Sequence, residues 1–87
     1  GLELAKELKL RAPMIILALR PKALGDGQSL EAWATVPGGR TERLIWLKDY
    51  RAAWTRDYHL RKPLRLPRGS TLHVATSPGA SLLVFAR

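Results

Sequence analysis

Turn-forming clusters of proline and glycine interrupt this sequence from end to end, and short apolar or alternating runs lie between them. None of these runs has the length and 3.6-residue period of a helix. Turn signals at intervals of about 8–12 residues are typical of an all-β sandwich or barrel. We therefore predict an all-β fold: a small antiparallel β-sandwich, jelly-roll-like, with seven to eight strands, one core and Greek-key-style crossings. The clearest predicted strands span residues 14–19, 29–36, 41–48, 58–62, 71–76 and 81–86.

One hairpin is well marked. Two alternating runs, 29–36 and 41–48, flank the sequence Pro37-Gly38-Gly39-Arg40. Consecutive glycines supply the positive φ angles that hairpin turns require. Trp33 and Trp46 lie on the two arms, and we expect them to face each other across the hairpin.

The first segment, residues 2–11, allows two interpretations. Leu2, Leu4, Leu8 and Leu10 share one parity, which is a strand pattern that Lys6 interrupts. The same stretch is rich in Ala, Lys, Glu and Leu, which favour a helix. The sequence favours a strand and leaves the helix open.

Two further segments have a predicted place in the sheets. Residues 14–19 are apolar on both parities between Pro13 and Pro21, which predicts a strand buried on both faces. Pro63 and Pro67 break the chain after residue 62, and prolines confine such a segment to a sheet edge or an irregular crossing.

Composition bounds the function. Residues 1–87 make one domain, and the absence of cysteine excludes a zinc ribbon, a disulfide scaffold and an iron–sulfur protein. Fifteen Lys and Arg against seven Asp and Glu give a formal net charge of +8, which keeps nucleic acid among the possible partners. These residues contain neither the charged start and long apolar run of a signal peptide nor an apolar run of transmembrane length, so we expect neither element here. We expect a domain excised from a longer protein.

Basic residues concentrate between the last tryptophan and Ser70. They are Arg56, Arg61, Lys62, Arg65 and Arg68. Most alternate with Leu and Pro, as on the solvated face of an edge strand, where cations discourage aggregation. A patch of this kind also suits a polyanion, a membrane surface or a partner protein. These five residues are the candidate polyanion or partner contacts.

The remaining candidate residues favour structural roles. The only histidines, His59 and His73, lie opposite the apolar parity of their strands, which indicates solvated or edge-of-core positions rather than a shared metal site. Among the aromatic residues, Trp54 is predicted to fill the core. No residue is predicted to be catalytic or to bind a cofactor or metal.

Three stretches together carry a family resemblance. They are residues 20–30, residues 33–46, and a spacing Tyr50–x3–Trp54–x3–Tyr58 followed by Pro63-Leu64-Arg65-Leu66-Pro67-Arg68-Gly69. Across roughly residues 16–75 the chain resembles the C-terminal β-sandwich domain of copper type II, ascorbate-dependent monooxygenases, particularly in bacterial proteins. The resemblance implies a place outside the cytoplasm, in the periplasm, and fusion to thioredoxin-like or haem-bearing domains.

The resemblance fails at the metal site. The family's copper loop has the form His–x–His–x–x–Gly–x–Ser, and the matching positions here are Lys22, Leu24, Gly27 and Ser29. Lysine and leucine do not supply the imidazole nitrogens that such a site requires. The family's third ligand, a later methionine, also has no counterpart, since Met14 precedes the loop.

We therefore expect a non-catalytic binding or scaffolding module without cofactor, whose partners are other domains of a parent protein or a separate protein. The first alternative is a polyanion or nucleic-acid-binding β-domain that uses the basic patch. A weaker alternative is a copper-binding redox domain with a rearranged site at His59 and His73.

Overall fold

Eight β-strands make up most of the chain. The computed structural model describes residues 1–87, and its only helical element is one 3-10 turn, Ala52–Trp54. The strands are β1 Leu2–Leu4, β2 Glu7–Lys9, β3 Met14–Lys22, β4 Leu30–Thr35, β5 Thr41–Leu47, β6 Tyr58–Leu66, β7 Thr71–Thr76 and β8 Ser81–Ala86. No helix has the length and apolar character needed to cross a membrane. The predicted all-β class and strand number are confirmed.

The strands pair as a nested antiparallel ribbon that is rolled into a sandwich. β4 pairs with β5, β3 with β6, β2 with β7 and β1 with β8. Additional pairing of β3 with β8 and of β4 with β7 joins these pairs into two four-stranded sheets. Sheet A has the order β1-β8-β3-β6, and sheet B has the order β2-β7-β4-β5. This is the connectivity of an eight-stranded jelly roll, as predicted.

The ambiguous first segment forms two short strands, one in each sheet. β1 belongs to sheet A and β2 to sheet B, so the chain crosses between the sheets at Ala5 and Lys6. The carbonyl of Lys6 accepts a hydrogen bond from the Val74 amide, and Leu10 pairs with the turn before β7 through Ser70. The strand interpretation is right, but Lys6 lies where the chain passes from one sheet to the other and does not interrupt the alternation of a single strand.

The core lies between the two sheets and is almost wholly apolar. Its most completely buried side chains are Tyr50, Ile16, Leu19, Leu30, Leu66, Leu72, Leu82 and Val84. The two buried polar residues are satisfied: Ser70 Oγ donates to the Pro67 carbonyl at 2.8 Å, and Ser81 Oγ donates to Glu3 Oε2 at 2.8 Å. Burial of each large apolar side chain stabilises the fold by about 1.5–3 kcal/mol.

β3 contains a bulge that exposes part of its apolar run. Its pairing with both neighbours shifts register between Ile16 and Ala18. Ile16 and Leu19 point into the core, whereas Ile15 and Leu17 are only half-buried and lie outside the core cluster. The prediction that this strand is buried on both faces is therefore wrong for its outward side chains.

β6 is an edge strand and carries the predicted irregularity. Opposite the bulge in β3, its pairing jumps from His59 to Leu64, so that Pro63 falls in an unpaired stretch at the edge of sheet A. Proline is tolerated there because no ladder hydrogen bond is required of it. The strand nevertheless continues to Leu66, beyond the end predicted at residue 62.

Candidate functional site

The five predicted contact residues lie along one edge of sheet A. Arg61, Lys62 and Arg65 are on β6, Arg56 precedes this strand, and Arg68 lies in the turn that follows it; all five are exposed. We call this set the basic edge. The structure thus brings the predicted residues together along one strand.

None of the basic-edge residues has an acidic partner. The Lys and Arg residues that form salt bridges are Arg20, Lys22, Arg40 and Arg43. Within the basic edge, Arg56 has a different contact, since its guanidinium lies 5.0 Å from the centroid of the Tyr58 ring. Five uncompensated positive charges on one strand edge produce a local field that attracts anions and acidic surfaces.

Lys9 and Arg11 extend the basic edge at one end. With Arg68 and Gly69 they line an open groove of about 850 Å³, to which Glu7, Leu8 and Leu10 also contribute. The first segment reaches this turn through the hydrogen bonds of Leu10 with Ser70 and Gly69. Sequence reasoning did not include Lys9 and Arg11. Their alternation with Leu8 and Leu10 signals an exposed strand face, but nothing local indicates that this face meets Arg68.

An apolar strip runs along the outer face of sheet A beside the basic edge. It consists of Ile15, Leu17, Leu83 and Phe85, all half-buried and all outside the core cluster. Arg65 is the register partner of Ile15, and Arg87 pairs with Ile15 through two backbone hydrogen bonds of 2.9 Å. One end of the strip is therefore flanked by unpaired cations on both sides.

The charges at the other end of sheet A are compensated. Arg20 Nη1 lies 3.1 Å from Asp57 Oδ1, and Lys22 Nζ lies 3.1 Å from Glu3 Oε1. The hydrogen bond from Ser81 and the contact with Lys22 hold the pKa of the Glu3 carboxyl below its usual range. Sheet A is thus electrically asymmetric, with all of its unpaired cations at the basic edge and the end of β8.

The loop that resembles a copper site has a structural role here. Leu24 is only 5% exposed and belongs to the core cluster, while Lys22 is held by Glu3. The remaining two positions shape the loop: Gly27 has φ 77°, and Ser29 Oγ accepts a hydrogen bond from the Asp49 amide at 3.4 Å. Of the two positions that match copper ligands in the resemblance, Leu24 thus points into the core and Lys22 is engaged in an ion pair.

The two histidines lie on different sheets. His59 is exposed on β6 of sheet A, whereas His73 is half-buried on β7 of sheet B. No group of three or more His, Cys, Asp or Glu side chains is placed to hold a metal ion. The structure therefore does not bring His59 and His73 together into a shared site.

Comparison with known proteins identified no relative of this chain. No family model matches the chain, and neither a curated protein nor a solved structure is similar enough to count as a match.

Proposed function

We propose that this chain is a non-catalytic β-sandwich module that docks onto another domain of its parent protein or onto a separate protein. In this proposal it is similar to the C-terminal domain of copper type II, ascorbate-dependent monooxygenases but has no metal site. The observation that carries the proposal is the outer face of sheet A, where the apolar strip borders the basic edge.

The apolar strip supplies the attraction for such a partner. Phe85 and Leu83 are outward neighbours on β8, and Phe85 is the register partner of Ala18, which is buried but lies outside the core cluster. Apolar groups at the centre of a surface with charges at its rim are the usual anatomy of a protein interface. Burying the strip releases water from apolar surface, which is the main source of affinity.

The unpaired cations specify the kind of partner. Arg61, Lys62 and Arg65 have no acid of their own, so an opposing surface gains attraction only where it carries Asp or Glu. Charges at the rim of an interface steer association and set orientation more than they add affinity. The proposed partner therefore presents an apolar ridge bordered by carboxylates.

The loop geometry supports the non-catalytic part of the proposal. A core leucine at position 24 has no donor atom for a metal, and Lys22 remains in an ion pair with Glu3. Imidazole at both positions is what the family's copper chemistry requires.

We expect calorimetric titration of the domain with Cu(II), and with Cu(I) under anaerobic conditions, to show no stoichiometric tight binding. The double variant His59→Ala/His73→Ala is the control, because any weak heat from surface imidazoles disappears in it. Tight binding of one equivalent of copper would contradict the non-catalytic proposal. If that binding also disappeared in the double variant, the rearranged copper site would replace it.

Polyanion binding is the second candidate function, and one observation favours it. The basic edge continues through Arg68 to Lys9 and Arg11 around an open groove, where three cations outnumber the one carboxylate of Glu7. Phosphate or sulfate groups spaced along a chain can track such a path, and the resulting affinity falls steeply with salt.

Heparin chromatography separates the two candidates. A docking module is expected to elute below about 0.3 M NaCl, because its cations lack the dense contacts of a polyanion site. Retention above that concentration would favour the polyanion function instead. The variant Arg61→Gln/Arg65→Gln then distinguishes a specific surface from general attraction.

The matched control for that variant is Arg20→Gln/Lys22→Gln, which removes the same formal charge from ion-paired positions on the same sheet. A basic edge that contacts the polyanion is expected to make the first variant elute earlier than the second. Equal shifts for both variants would show that only net charge matters, and would remove the basic edge as a site.

A further inference from the structure

The outer face of sheet B holds an aromatic and polar network that the docking surface on sheet A does not use. Trp33 on β4 and His73 on β7 are register partners, and their rings stack with centroids 5.2 Å apart and an interplanar angle of 12°. His73 is fixed in turn, because Nδ1 lies 3.2 Å from Glu7 Oε2 and Nε2 lies 3.3 Å from Thr35 Oγ1. The Trp33 indole is therefore held in one orientation by three strands.

Trp46 on β5 extends this network toward the edge of sheet B. Its side chain is 56% exposed, the highest value for a large apolar residue in the chain. The Arg43 guanidinium lies 5.3 Å from the Trp46 ring centroid and also contacts Glu31 Oε2 at 3.2 Å. The indole is thus oriented from one side by a cation while much of its surface remains in solvent.

On this face, the pairing of β4 with β5 places each indole ring opposite a charged side chain. Trp33 is opposite Arg43, and Glu31 is opposite Trp46. An open cavity of about 480 Å³ on this face is lined by Glu31, Trp33, Thr41 and Arg43, and Trp46 lies against Arg43 outside that lining. Because the four side chains project from adjacent strands of a paired sheet, their donors and acceptors are positioned before any ligand arrives.

The charge of the network indicates the class of ligand. Glu31 is paired with Arg43, and the Glu7 carboxylate lies against the His73 ring, so this surface has no excess of positive charge in a chain whose total is +8. A polyanion is attracted more strongly to the basic edge than to this face. A neutral ligand that needs both donors and acceptors fits the side chains better, since Arg43 donates, Glu31 accepts and Thr41 does both.

We propose that the outer face of sheet B binds an uncharged saccharide. A pyranose ring with equatorial hydroxyls has an apolar face of C–H groups that packs on an indole, and a rim of hydroxyls that both donate and accept hydrogen bonds. Trp46 and Trp33 supply the apolar surfaces, while Glu31, Arg43 and Thr41 bind the hydroxyls. This site is independent of the docking surface proposed for sheet A, which lies on the other sheet.

Titration of the 15N-labelled domain with cellohexaose and with N-acetylchitohexaose tests the site by NMR. At least one of these neutral sugars is expected to produce saturable shifts in the indole N–H signal of Trp46 and in the amides of β4 and β5. Trp46→Ala is expected to weaken the binding by about tenfold or more, because the variant loses both the burial of apolar surface against the indole and the stacking on its ring.

Trp54→Ala is the matched control, because Trp54 is 55% exposed and lies outside sheet B. It is expected to change the affinity by less than about twofold, an amount within the effect of a distant surface substitution. Glu31→Gln tests the polar part of the site while keeping the side chain's shape, and several-fold weaker binding is expected of it. Preserved amide dispersion in each variant shows that its fold is intact.

Three results would overturn the proposal. The first is the absence of saturable shifts with both sugars. The second is a set of shifts centred on Trp54 or the basic edge. The third is an equal loss of affinity in Trp46→Ala and Trp54→Ala. The heparin variants lie on sheet A, and the copper titration of the wild-type domain measures metal binding rather than sugar binding; only its control variant replaces a residue of this face, His73. Failure here therefore leaves the docking proposal intact, and failure of docking leaves this site intact.

Discussion

Replacing Leu82 by alanine is expected to destabilise the isolated domain by about 2–5 kcal/mol, whereas the same change at its neighbour Leu83 costs about 1 kcal/mol. Leu82 is 0% exposed between the two sheets, so its truncation leaves a cavity in the single core. Leu83 faces outward in the apolar strip and lies outside the core cluster. Urea denaturation of the two variants, with wild type alongside, measures the difference.

The size of the Leu82 effect follows from the size of the chain. A domain of this length buries only about 60% of its unfolded surface. Total stabilities of natural domains are about 5–15 kcal/mol, so one core leucine accounts for a large part of the margin. Without a disulfide, no covalent link limits the loss.

The Leu83 result bears on the docking surface. If the apolar strip awaits a partner, its side chains contribute little to the stability of the isolated domain, and Leu83→Ala leaves the fold nearly unchanged. Equal losses at Leu82 and Leu83 would mean that the strip is part of the structural core, and would remove the main support for docking through sheet A.

The sequence pattern predicts the structure correctly where a short stretch of residues determines it. Gly38 and Gly39 have φ values of 101° and 94°, and the hairpin they close forms as predicted. Arg61 and Arg65 of β6 alternate with leucines, and both are exposed as the pattern indicates. In each case one short stretch contains the whole physical reason.

Sequence pattern failed where pairing partners decide the outcome. Trp33 and Trp46 do not face each other as predicted, because the pairing places Arg43 opposite Trp33 and Glu31 opposite Trp46. The register of the hairpin decides these partners, and no propensity scale signals it. The network around Trp46 was therefore invisible in the sequence.

The sequence also could not predict that the basic-edge residues lack acidic ion-pair partners. Lys22 and Arg20 find acids on β1 and before β6, while Arg61 and Arg65 find none, because the topology places Glu3 and Asp57 near the former pair. Ion pairing depends on distances between strands that lie far apart in sequence. Net charge alone gives the total of +8 and not its distribution.

The buried aromatic residue of the bridging segment is Tyr50, not Trp54 as predicted. Tyr50 is 1% exposed, while Trp54 is 55% exposed and meets the Tyr50 ring edge-on with centroids 6.4 Å apart. The segment between β5 and β6 has no strand or helix period to show which of its aromatic residues points inward. Size favoured tryptophan, but the path of the backbone brings the tyrosine into the core.

Backbone hydrogen bonds explain why Tyr50 takes that place. Its amide donates to the Gln28 carbonyl at 2.9 Å, and its carbonyl accepts from the Gly27 amide at 2.7 Å. Nearby, the Ala52 amide donates to Asp26 Oδ1 at 2.6 Å. The loop before β4 and the segment after β5 are thus joined around Tyr50, which closes this end of the sandwich.

Tyr50→Ala is therefore expected to destabilise the domain by about 3–5 kcal/mol, the usual cost of deleting a buried aromatic ring. Tyr50→Phe keeps the ring and loses the 2.9 Å hydrogen bond from Tyr50 Oη to Thr55 Oγ1, so it is expected to cost about 1 kcal/mol. Trp54→Ala, in contrast, is expected to cost less than about 1 kcal/mol, because its ring is mostly in solvent. Thermal unfolding followed by far-UV circular dichroism ranks the three variants. If Trp54→Ala proved the most damaging, the tryptophan would be the buried residue as the sequence predicted, and the packing of this end of the sandwich around Tyr50 would be wrong.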